Sequence, residues 1–124
     1  MKFTEKQIEF IRNHDLKILL EGRNNMVKGS VEQHIQTSII KYIKSIGGLP
    51  IKQNQIGIYA QAGVPDIIAC IKGRFVAIEV KRPGQKPAPI QEAFLESIAK
   101  KGGVAFWSDN LDRVKSLLKK ENLV

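Results

Sequence analysis

The stretch GVPDIIACIKGRFVAIEVKRPGQ, residues 63–85, decides how this chain folds. It contains two short apolar runs, DIIACI (66–71) and FVAIEVK (75–81), joined by Lys72-Gly73-Arg74. Runs rich in Ile, Val and Phe around a Gly-containing connection read as two adjacent strands of a buried sheet. Side chains alternate across a strand, so Val76, Ile78 and Val80 share a face suited to a core. Phe75, Ala77, Glu79 and Lys81 share the other, with Glu79 and Lys81 about 7 Å apart at ~3.3 Å per residue. Hairpin pairing brings Asp66, at the entrance of the first strand, to the end of the second, where Glu79 and Lys81 stand. Folding alone gives no reason to put three charges there.

Two carboxylates converging on one point repel unless a cation separates them. A hard divalent ion such as Mg²⁺, held by one or two carboxylates and several waters, fits that need. Lys81 is then placed to hold or deprotonate an attacking water. The plainer alternative is a surface Glu79–Lys81 pair with Asp66 as a turn residue. The Pro65-Asp66 step at the head of the neighbouring strand weighs against it.

Outward from this hairpin, the spacing predicts a mixed α/β domain of order α-β-β-β-α-β-α. Ser30 and Gln33 resemble a capping box and open a helix that ends before Gly47-Gly48. LPIKQNQIGIYA (49–60) reads as a strand, and RPGQKPAP (82–89), with three prolines and a glycine, as irregular. A helix follows from about Pro89 to Lys101, then the strand VAFWSD (104–109). Asn110 or Asp109 caps a last helix with Leu111, Val114, Leu117 and Leu118 on one stripe. Upstream, Thr4 and Gln7 resemble another capping box, opening a helical stretch to about Leu20 before a polar linker. Residues 1–29 are therefore expected to be a helical extension with linker, and 30–124 the main domain.

Helical wheels place two more polar groups toward the sheet. Counting ~100° per residue from Val31, the apolar residues of the first helix span roughly 20° to 120°, and Glu32 falls at about 100°. Counted from Ile90, Gln91 falls at about 100°, among Phe94, Ile98 and Leu95.

Composition bounds the function. With 43% hydrophobic and 26% charged residues the chain is globular, and no apolar run approaches the ~20 residues that span a bilayer. The N-terminus has no signal-peptide pattern, so a soluble, cytoplasmic protein is expected. A single cysteine, Cys70, excludes an intrachain disulfide and a cysteine zinc site, and its apolar strand makes it an expected core residue. A net charge of +8 favours polyanionic partners, nucleic acid first. Arg82 and Lys86, on the loop leaving the site, are the favoured phosphate contacts. His34 lies off the apolar arc and reads as surface. Trp107 is expected to pack in the sheet rather than stack on a base, and Ser108-Asp109 to be a capping feature.

The set Glu32, GVPDIIAC around Asp66, and AIEVKRPGQKPAPIQ with Glu79, Lys81 and Gln91 resembles the VRR-NUC family of the PD-(D/E)XK nuclease superfamily. The likeness covers roughly residues 30 to 118. It implies a restriction-endonuclease-like core: a mixed sheet flanked by helices. It also implies that Asp66, Glu79 and the carbonyl of Val80 bind Mg²⁺ or Mn²⁺. Lys81 would position the water, Glu32 complete the acidic site, and Gln91 orient Lys81 or the water. Small stand-alone members resemble homodimeric endonucleases that cut branched DNA, Holliday junctions in particular, and a phage or prophage origin would suit such a protein. A non-catalytic nucleic-acid-binding module of the same fold is the alternative. Its expected mark, loss of Asp66, Glu79 or Lys81, is absent. A sequence-specific restriction-type enzyme needs a recognition domain that 124 residues hardly accommodate.

Overall fold

In the computed structural model, which describes residues 4–7, 9, 30–53 and 61–124, the two central runs form a hairpin. Strand β2 (Ile67–Ile71) pairs antiparallel with β3 (Arg74–Val80). The turn is tighter than the sequence suggests, because Arg74 already belongs to β3. Lys72 and Gly73 alone make it, both with positive φ (49° and 77°), as right-twisted hairpins require of a two-residue loop.

Strand β1 (Leu49–Lys52) pairs antiparallel with β2, and β4 (Val104–Ser108) parallel with β3, giving the order β1-β2-β3-β4. A parallel neighbour needs a crossover, and α2 (Pro89–Lys100) supplies it. Helices α1 (Val31–Ser45) and α3 (Leu111–Lys120) are the remaining elements among the described residues of this unit. The main-domain order expected from the spacing is thus the observed one. Asn110 is the cap of α3: its Oδ1 accepts the Arg113 N–H at 2.8 Å.

The core lies on one face of the sheet. Ile67, Ala69 and Ile71 of β2 and Val76, Ile78 and Val80 of β3 pack there against Ile39 and Ile43 of α1 and Val114 and Leu118 of α3. Helix α2 packs on β3 and β4 and buries Leu95. With both faces covered, every residue from Val76 to Val80 is buried, Glu79 included.

Two expectations change. Cys70 is exposed rather than part of the core. It alternates away from Ile67, Ala69 and Ile71, and its register neighbours Leu49 and Phe75 are exposed too, so no described element covers that part of the sheet. Strand β1 ends at Lys52, well short of Ala60, and residues 54–60 lie outside those described.

The chain divides into two compact units, Met1–Ser30 and Val31–Val124. In the first, Thr4 and Gln7 exchange backbone N–H and side-chain oxygen bonds at 2.9 and 3.2 Å, a reciprocal helix cap. The rest of the expected N-terminal helix, from Phe10, and the linker lie outside the described residues. Among the described residues no helix is long and apolar enough to cross a membrane.

Candidate active site

Asp66 is fastened from both sides. The β2–β3 register, continued one step past Ile67↔Ile78, sets it opposite Glu79. There the ladder gives way to a side chain: the Val80 N–H donates to Asp66 Oδ2 at 2.9 Å. The Asp66 carbonyl accepts the Gln53 N–H at 2.7 Å, extending the pairing with β1. The preceding turn is held against α2, because Gly63 lies so close to Ile90 that a Cβ would stand 2.9 Å from its carbonyl oxygen.

Glu79 is 2% exposed. Its Oε1 accepts from Gln91 Nε2 at 3.2 Å and has Lys81 Nζ at 3.7 Å. The second distance makes an ion pair but is long for a hydrogen bond. Oε2 is buried with no partner. Burial above all, then the Asp66 carboxylate beside it, pushes the Glu79 carboxyl from 4.5 up to about 8; Lys81 opposes the rise and Glu32 adds the least. Lys81 is held through its backbone, whose N–H donates to the Ser108 carbonyl at 3.0 Å. Gln91 reaches in from the first turn of α2, where Ala88 has no side-chain oxygen to offer. Its Oε1 therefore takes the Ala88 N–H at 2.8 Å while its Nε2 serves Glu79.

Asp66, Glu79, Lys81 and Gln91 thus meet at one point, and Glu32, half-buried on α1, is near enough for its charge to act on Glu79. Val80 contributes backbone atoms only, its side chain being in the core. Arg82 and Lys86 are exposed on the loop between β3 and α2 and do not join the cluster. His34 is at the surface. Trp107 is half-buried in the sheet beside Glu79, with the Arg113 guanidinium 4.8 Å from its ring centre. Gln36 is a further polar residue on α1, 7% exposed, one turn beyond Glu32. At about 140° on the wheel used above, it borders the apolar arc, and that position was its signal.

The donor set fits a hard divalent cation. Among the described residues no three His, Cys, Asp or Glu side chains gather as a metal cluster. Two carboxylates remain, one with a buried oxygen lacking any partner and a proton affinity raised by burial and then by its neighbour. Mg²⁺ is commonly bound by one or two carboxylates with water completing the octahedron.

Two solved structures share this fold. One, described as a "VRR_NUC domain", superposes with a TM-score of 0.62 at 24% identity over 73% of this chain and 97% of its own. Another, a "VRR_NUC domain protein", gives 0.58 at 23% identity over 74% and 88%. The α/β architecture is therefore that of VRR_NUC domains. No family model matches the chain. Over 61 residues it is 34% identical to "Putative nuclease p44" of Acyrthosiphon pisum secondary endosymbiont phage 1. That alignment takes in 48% of this chain and 62% of the phage protein, so the chain spans less than two thirds of its relative. The neighbours thus share the fold, and the phage protein shares sequence over part of its length.

Proposed function

We propose that this protein is a metal-dependent, structure-specific DNA endonuclease of VRR-NUC type. It hydrolyses phosphodiester bonds in branched DNA, Holliday junctions foremost, and works as a homodimer. The observation that carries this reading is the buried Glu79, whose Oε2 has no partner and whose neighbours are Asp66 and Lys81. An acid is not buried there for stability, since burying an oxygen without a partner beside a second carboxylate costs free energy.

Asp66, Glu79 and the Val80 carbonyl would hold Mg²⁺ or Mn²⁺, which when bound polarises a phosphate oxygen and lowers the pKa of coordinated water. Lys81, loosely paired, hydrogen-bonds the attacking water and offsets charge that grows on the phosphate. Gln91 fixes the Glu79 carboxylate. Glu32 extends the acidic site toward water bound beside it. Arg82 and Lys86 take flanking phosphates. Two copies related by a two-fold axis supply the paired cuts that a symmetric junction requires. Residues 30–124 form the nuclease domain and 1–29 an extension to it. The name of the phage relative agrees with a nuclease acting in the cytoplasm of an infected bacterium.

The test is to incubate the protein and Lys81→Ala with a labelled four-way junction and matched duplex, with Mg²⁺, Mn²⁺ or EDTA. Metal-dependent cutting of the junction, lost in the variant, is the expected result. Equal cutting of both substrates removes the junction preference and leaves the chemistry. Tight binding without cutting under any metal replaces the enzyme with a binding module.

A further inference from the structure

Charge in the unit Val31–Val124 is sorted along the sheet. All three helices start at the end where β3 finishes: Gln91 of α2 and Glu32 of α1 are near Glu79, and α3 follows directly on β4, which runs parallel to β3. They finish at the opposite end. Gly48, just past α1, lies against Ile71, and Gly103, just past α2, against the Phe75 carbonyl. Glu121, which ends α3, pairs with Arg74 at 3.4 Å.

Six of the unit's 8 acids, Glu32, Asp66, Glu79, Glu92, Asp109 and Asp112, belong to the end that holds the candidate site. The far end carries seven of its 14 cations, all exposed. Lys44 ends α1, and Lys72 and Arg74 form the hairpin corner. Lys100 and Lys101 end α2, and Lys119 and Lys120 end α3. Among the described residues of this unit only Glu96 and Glu121 oppose them, each already paired, with Lys100 at 3.2 Å and with Arg74. Basic residues in a last turn complement the helix dipole, but three helix ends supply only about −1.5 of charge in all. Roughly three positive charges remain uncompensated there after both acids and the dipoles are counted. Lys72, moreover, belongs to no helix.

We infer that this far end is a second nucleic-acid contact surface, which grips the phosphate backbone of a duplex away from the bond being cut. From Arg74 to Val80 the strand runs about 20 Å at ~3.3 Å per residue. At ~3.4 Å per nucleotide step that separation is about six base pairs. A duplex arm leaving the Asp66–Glu79 site along the sheet reaches these lysines half a turn later. The position of the cut rests on the nuclease reading above; the surface itself rests on the charge distribution.

The experiment compares the full chain with K72Q/K101Q/K119Q/K120Q, which leaves both ion pairs and the candidate site untouched. Affinity is measured by fluorescence anisotropy in EDTA across a salt series, for duplex arms of about 4 and about 12 base pairs, either side of the six-base-pair reach. The variant should lose about tenfold or more on the long arm, and its log K against log[salt] slope should shrink by about three. Its affinity for the short arm, its cutting of a short substrate with Mg²⁺ and its melting temperature should match the parent, and the four Lys→Arg changes should retain long-arm binding. Unchanged long-arm affinity and slope overturn the inference, as does an equal loss on both arms. Lysine-dependent binding to phosphatidylserine vesicles without lysine-dependent duplex binding also overturns it and makes the surface a membrane contact. Lysine-dependent long-arm binding by a protein that cuts nothing keeps this surface and removes the nuclease.

Discussion

Gln91 Nε2 donates to Glu79 Oε1 at 3.2 Å while Oε1 of the same amide accepts the Ala88 N–H at 2.8 Å. One side chain thus closes the first turn of α2 and orients the buried carboxylate. Because a backbone N–H only donates, the bond from Ala88 fixes which way the amide faces and leaves Nε2 for Glu79. Gln91→Ala removes both and should lower stability by about 1 kcal/mol. Metal-supported cleavage should fall about 10–100-fold, the usual effect of removing a group that orients a ligand. Gln91→Glu keeps an acceptor for Ala88 but sets a second carboxylate against Glu79, so it should retain the cap and lose the activity. Parent-level cleavage by Gln91→Ala would reduce the residue to a helix cap.

The state of Glu79 sets a pH dependence. Its carboxyl is raised in the fold from 4.5 to about 8, chiefly by burial and then by Asp66. The folded state therefore favours the protonated form more than the unfolded chain does. The associated stability is fully present below the unfolded value and is lost as pH rises through the folded one. A shift of this size corresponds to roughly 3–5 kcal/mol across that window. In EDTA the melting temperature should fall between about pH 5 and about pH 8.5, and Glu79→Gln should remove most of the slope. Adding Mg²⁺ should stabilise the parent more at the upper pH than at the lower, and Glu79→Gln little at either. A flat parent profile in EDTA would mean that Glu79 ionises without difficulty, and the case for a cation beside it would weaken.

The hairpin and its charges were legible because a strand's two-residue period assigns faces without knowledge of anything else. Asp66 and Glu79 follow from that period and one short turn. Gln91 was legible from the wheel of α2, as Asn110 was from cap chemistry. Periodicity names a face but not how much of it a helix covers. Cys70 and Glu79 lie on the same face, yet α2 packs over β3 and β4 and leaves Cys70 exposed. Gln36 differs in kind, since a single polar residue bordering an apolar arc is weak until its burial is known. The sorting of charge toward the far end was beyond reach of the sequence, because Lys44, Lys72, Lys101 and Lys119 are far apart in it. Only the common direction of the three helices assembles them.

Asp66 does two separable things, accepting the Val80 N–H and adding negative charge beside Glu79. Asp66→Ala leaves a buried N–H without a partner and should destabilise by ~1–3 kcal/mol. Asp66→Asn retains an acceptor oxygen and should stay close to the parent. The comparison belongs at about pH 5, where Glu79 is protonated in the fold and its repulsion by Asp66 does not confuse the result. Both variants should lose cleavage, because both lose the charge. In urea melts, matching midpoints for the two variants would show that the bond to Val80 contributes little to the fold.

Gly63 and Gly84 separate backbone conformation from close approach. Both have positive φ, 84° and 87°. Gly84 follows Pro83 in a turn closed by the Gln85 N–H on the Arg82 carbonyl at 3.1 Å, and a Cβ there meets nothing within 4 Å. A Cβ on Gly63 would stand 2.9 Å from the Ile90 carbonyl oxygen, which is backbone of α2 and cannot rotate away. Gly84→Ala should lose only the ~1–2 kcal/mol of a left-handed alanine. Gly63→Ala should lose that and about 1–3 kcal/mol more from the forced shift of α2. Since Ile90 adjoins Gln91, the same shift pulls Gln91 off Glu79, and cleavage should fall in Gly63→Ala beyond what its melting temperature explains. Equal losses of stability in the two variants would show that the start of α2 yields freely, and that Gly63 serves only its own turn.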